Sequence, residues 1–130
     1  MASSFEQTGA QLTDIAAQQN SLAAAVAAGE LWMDAGVAER AAARCDQAVD
    51  ELDKSLLRGA EKLARLRKFG DNEDGRAAAE HFAQAGRDYI ATMRKAQQVF
   101  KNMAATYRAA GRTAAETEAA NEQMFRSRFQ

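Results

Sequence analysis

The residues of this chain that could do chemistry are few and scattered. Histidine occurs once, at His81, directly after Glu80. Neighbouring side chains on a helix diverge by about 100°, so this pair cannot converge on one substrate atom or one metal ion. No HExxH and no Glu-x-x-His spacing occurs, the patterns that put two ligands on one helical face. His81 therefore reads as a partly exposed imidazole beside Phe82. Carboxylates gather at Asp46, Asp50, Glu51 and Asp53. Converging carboxylates can share a proton or hold a cation, but these lie mostly off the apolar stripe. Lys54, Arg58 and Lys62 follow at helical spacing, and Asp50 with Lys54 is the clearest pair, worth ~0.2–0.5 kcal/mol. The band is expected to be a solvated face. Cys45 is the only cysteine, so no internal disulfide exists; a small apolar role on the inner helix face is expected. Gly70 to Gly75 lacks the Lys-Ser/Thr of a phosphate loop, and no nucleophile triad can be assembled. No catalytic residue, cofactor or metal site is expected, and the chain does not read as an enzyme.

Two further groups point to surfaces. Arg58, Lys62, Arg65, Arg67 and Lys68 form the one basic cluster, with Glu61 inside it and Phe69 its only aromatic. A nucleic-acid patch needs more charge and interleaved aromatics, and the formal net charge is −1, from 17 basic and 18 acidic residues. Compensation of a helix dipole is the better reading. Met93, Phe100, Met103 and Tyr107 could form an adaptable groove or an ordinary core, and the two readings merge if the core is shared with a partner.

The elements that must position these residues are helices. The chain has no proline, and alanine, the best helix former, fills most small positions. A first helix is predicted over 4–28, with Phe5, Leu12, Ile15, Leu22 and Val26 on one face and Gly29 ending it. Leu31-Trp32-Met33 connects to Asp34, a good N-cap, with Trp32 placed to staple the entering chain. A first arm follows over 34–69. Its stripe is Val37, Ala41, Cys45, Ala48, Leu52, Leu56, Gly59, Leu63 and Leu66, close to a heptad seam. Phe69, Gly70 and Gly75 mark a turn, with an acidic loop over 70–75. A second arm over 76–126 carries Ala77, Phe82, Tyr89, Met93, Ala96, Phe100, Met103, Tyr107, Ala110 and Ala114, and Gly86 marks a break or kink in it. No window approaches the apolar length of a membrane span. The first residues, Met1-Ala-Ser-Ser-Phe-Glu, carry no basic and apolar signal-peptide pattern, so export would need a route that reads no such signal.

The run from Lys68 through Gly75-Arg76-Ala77 to Phe82 resembles the turn region of small helical proteins of actinobacterial type VII secretion. These are relatives of the WXG-type, ESAT-like hairpins. Met103 to Glu118, with Tyr107-Arg108-Ala109-Ala110-Gly111, resembles their C-terminal arm, and the resemblance spans roughly residues 31 to 118. The Trp-x-Gly turn is absent, because the only tryptophan, Trp32, is followed by Met33-Asp34 and precedes the first arm. The export motif Tyr-x-x-x-Asp/Glu is degenerate: Ala114 takes the tyrosine position and Glu118 the acid.

The expected fold is all-α, an elongated antiparallel helical hairpin with an added N-terminal helix, completed into a bundle by dimerisation. The expected interaction seam is Leu52, Leu56, Leu63, Leu66, Phe82, Tyr89, Met93, Phe100, Met103 and Tyr107. The resemblance implies a non-enzymatic interaction protein, similar to type VII (ESX) secretion substrates or their partners. It would pair with itself or with a second helical-hairpin protein, and would be cytoplasmic or exported to the cell surface or medium without a cleaved signal peptide. The alternative is a cytoplasmic helical adaptor or chaperone unrelated to secretion.

Overall fold

Local signals set the ends of the helices. The structure, a computed structural model, describes residues 4–59, 70 and 72–128, with the backbone alone at 4, 5, 55 and 56. Helix α1 spans Ser4–Ala27. Gly29 closes it at φ +76°, its N–H donating to the Val26 carbonyl at 3.0 Å while Glu30 N–H reaches the Ala25 carbonyl at 2.9 Å. This paired closure satisfies carbonyls that a helix end leaves open, and it needs a left-handed residue, for which glycine carries no Cβ penalty. Helix α2 spans Ala35–Glu51, and Asp34 caps it, its carboxylate accepting the Val37 N–H at 3.0 Å. A six-residue π-helical segment, Leu52–Leu57, continues α2. Helix α3 spans Glu73–Arg128, 56 residues or about 84 Å of helix. Asn72 caps it, accepting the Gly75 N–H at 2.6 Å. The helix therefore begins inside the stretch expected as a loop, because an Asn cap followed by acidic Glu73 and Asp74 favours a helix start.

α3 is the spine. α2 packs antiparallel to it: Glu39 meets Arg108, Val49 meets Gln97 and Asp53 meets Arg94 as one chain direction rises and the other falls. α1 runs parallel to α3, with Gly9 and Thr13 beside Lys95 and, past the end of α1, Met33 beside Ala110. Among the described residues α1 and α2 each pack on α3 and not on each other. No helix in the described residues is long and apolar enough to cross a membrane.

The contact lines are made of small residues. Ala38 and Ala42 on α2 and Ala83 and Ala104 on α3 are at most 3% exposed. At Gly111 the approach is closest, since a Cβ there would stand 2.9 Å from Ala38 Cβ and 3.3 Å from Ala35 Cα. Two expectations are corrected here. At its N-terminal end the α2 contact line shifts from Val37 to Ala38 and Ala42, because alanines let the two backbones come closer than a valine would, while Ala41, Ala48 and Leu52 stay half-buried and Cys45 is buried as expected. The second arm does not break at Gly86: α3 is continuous through it and Gly86 is buried.

Candidate helix-docking groove

The α2–α3 contact centres on Ala42, Cys45 and Ala104, with Phe100, Met103 and Tyr107 packed against them and partly buried. On one side of this line Arg108 spans two carboxylates of α2. Its Nε and Nη2 donate to the two oxygens of Glu39 at 3.1 and 3.0 Å, and Nη2 also donates to Asp46 at 2.8 Å. The two-pronged geometry suits a planar guanidinium. It holds the Glu39 carboxyl below the usual carboxylate range, and Arg108 is held even more firmly charged. Asp53 pairs with Arg94 at 3.1 Å and Asp50 with Lys54 at 3.1 Å. The acidic band is therefore only partly a solvated face: Asp50 pairs locally, as its spacing predicts, whereas Asp46 and Asp53 tie α2 and its extension to α3.

On the other side the surface is open, with apolar residues flanked by two arginines. Val37, Arg40, Ala41, Arg44, Cys45 and Tyr107 line a depression of about 450 Å³. Burial pushes the Cys45 thiol up, and the Asp46 charge adds to the effect. The wall on the α1 side follows from helix geometry. The face of α1 that meets α3 is Gly9, Leu12, Ala16, Gln19, Ala23 and Val26, all buried or half-buried, at steps of three and four. Lys95 lies nine residues from Ala104, half a turn around α3 from the α2 contact, and its Nζ donates to the Gly9 carbonyl at 2.9 Å and to Thr13 Oγ1. That edge of α1 faces away from α2. Ile15 and Leu22 occupy the opposite edge, toward α2, and are 40% and 51% exposed. The groove thus has Phe100, Met103 and Tyr107 as its floor, with Ile15 and Leu22 on one wall and Val37 and Ala41 on the other.

The seam expected from the sequence is redistributed. Phe100, Met103 and Tyr107 come together, and Leu52, Tyr89 and Met93 are half-buried along the same helices. Phe82 leaves the stripe and is exposed, because the buried register at the start of α3 is Gly75, Ala79, Ala83 and Gly86. Its ring meets His81 edge-on at 6.1 Å. Among the described residues the fully buried leucine is Leu57, five residues after half-buried Leu52; the π turn adds a residue per turn and shifts the register that a 3.6-residue period predicts. The Leu56 side chain, Leu63, Leu66, Phe69 and the basic residues Lys62, Arg65, Arg67 and Lys68 lie outside the described residues. Gly70 takes φ +124°. Trp32 is exposed and does not staple the connector. Met33 holds it instead, half-buried, with its N–H on the Ala110 carbonyl at 3.3 Å. Ile15 and Leu22 are exposed and do not belong to the packed face of α1, where Leu12 and Val26 lie as expected beside Gly9, Ala16, Gln19 and Ala23. Sequence reasoning missed Arg108, whose two partners on α2, one heptad apart, were the available signal.

No group of three or more metal-binding side chains gathers among the described residues. No protein-family model, no curated protein and no solved structure matches the chain.

Proposed function

We propose that the chain is a non-enzymatic interaction protein that receives a helix of a second helical-hairpin protein in the groove between α1 and α2. In this it would be similar to type VII secretion substrates or their partners. One observation carries the reading: Phe100, Met103 and Tyr107 stay half-buried on α3, while Ile15 and Leu22 on α1 and Val37 on α2, the two helices that pack on α3, are exposed. Apolar side chains aligned along helices and left in water gain by burial against another amphipathic helix. Export fits the same reading through the partner, because Ala114 stands where the export tyrosine would be and is buried, while Glu118 is exposed beyond it.

The test is a tagged copy expressed in its native host, with medium and pellet blotted in strains with and without the type VII ATPase. ATPase-dependent appearance in the medium, with a second small helical protein copurifying, is the expected result. Leu22→Asp should abolish that copurification while leaving the helical content unchanged. Retention in the pellet of both strains would reject the secretion reading and favour the cytoplasmic adaptor.

A further inference from the structure

Helix α3 outruns the two helices that cover it. Ala114 is buried and Thr117 half-buried, whereas every residue from Glu118 to Arg128 is exposed. About 16 Å of helix therefore projects past the bundle. The projection is not uniformly polar. Met124 and Phe125 are 58% and 64% exposed, and with Asn121 and Arg128 they line a single depression. The spacing Tyr107, Ala110, Ala114, Thr117, Asn121, Met124, Arg128 steps by three and four, so this face continues the groove floor beyond its cover.

The charges on the projection say what would cover it. Glu122 and Arg126 neutralise each other within the helix at 2.7 Å. Glu118 and Arg128 remain, at opposite ends and of opposite sign, neither with an ion pair among the described residues. Parallel pairing of two such helices would set like charges side by side. Antiparallel pairing sets Glu118 of each against Arg128 of the other and brings the Met124 and Phe125 faces together at the two-fold axis. We propose that the projecting end of α3 is a self-association site, where two copies pair their 118–128 helices antiparallel and tail to tail. A contact of two to three helical turns is small beside stable interfaces, so the association is weak and concentration-dependent. It is isologous and closes at two copies. It does not rest on the groove reading.

Sedimentation equilibrium over a wide concentration range tests it. The wild type should shift from 14.1 kDa toward twice that mass. Met124→Asp should hold it at the monomer mass with helicity retained, because position 124 lies outside the bundle. Glu118→Arg or Arg128→Glu alone should weaken association roughly tenfold, since each change spoils both symmetric pairs, and the double reversal should restore it. A wild type that stays monomeric throughout overturns the proposal, as does a double reversal no better than the singles. Self-association lost in Leu22→Asp but kept in Met124→Asp would also overturn it, and would assign pairing of copies to the groove.

Discussion

α3 carries two seams, and they are held together differently. The α2 seam is close and well satisfied. Alanines face alanines, Gly111 admits Ala38, and the Gln97 amide donates to the Val49 carbonyl at 2.9 Å while its oxygen accepts from Arg94 at 3.1 Å. Arg108 and Arg94 tie its polar side. The α1 seam is looser. Lys95 anchors one edge, and at its centre Gln19 is only 8% exposed with neither amide atom hydrogen-bonded. A buried amide without partners costs about 1–3 kcal/mol. Small residues hold a helix pair most firmly where the polar groups among them are also paired. It also sets an order of opening: α1 should detach before α2 does, so amide exchange in α1 should report a smaller opening free energy.

Five substitutions test this contrast. The largest is Gly111→Val, which forces side-chain atoms into Ala38 and the Ala35 backbone. It should cost about 3 kcal/mol in urea unfolding, whereas Gly9→Ala on α1, with open space around it, should stabilise by about 0.5–1 kcal/mol. Next is Gln19→Leu, which removes the unpaired amide from the weak seam. Slower exchange across α1, by about 1–2 kcal/mol, is expected with little change in α2; faster exchange would mean that the amide has a partner after all. Asp34→Ala should cost about 1 kcal/mol, seen as fraying of the first turn of α2 by NMR. The smallest effect is that of Arg108→Met, which should lower the melting temperature slightly, and less in high salt, because the pairs are solvent-exposed. Acid acts on the same contact. Glu39 has its folded value depressed by Arg108, so its contribution is present above the ordinary carboxylate range and is lost as pH falls through that range toward the folded value. Arg108→Met should flatten this part of the acid profile, measured as melting temperature against pH.

Features governed by near neighbours were legible in the sequence. Gly29 as a helix end, Asp34 as a cap and the Asp50–Lys54 pair each depend on residues within about one turn. The site was legible only in its floor, where Phe100, Met103 and Tyr107 stand out by size and spacing. Its walls were not, because Ile15 and Leu22 look like core to any reading that ranks positions by hydrophobicity. With so many alanines, hydrophobicity does not say which side of a helix faces inward. Val37 and Ala38 compete for the contact line, and the choice is made by how closely two backbones can approach. Leu57 escaped for a related reason, since the π turn changes the period on which the stripe was counted.

The all-α class, the helix caps and the heptad spacing along α3 can be read from the residues alone. These follow from backbone propensity and from groups that meet within a turn or two. Tertiary structure alone decided which residue of each adjacent pair is buried, that Asp46 and Asp53 reach across to α3, that α1 and α2 leave a groove between them, and that α3 projects past both. Those outcomes depend on the separation and relative rotation of whole helices. These are fixed by summed packing between residues far apart in the chain, and no local pattern encodes that sum.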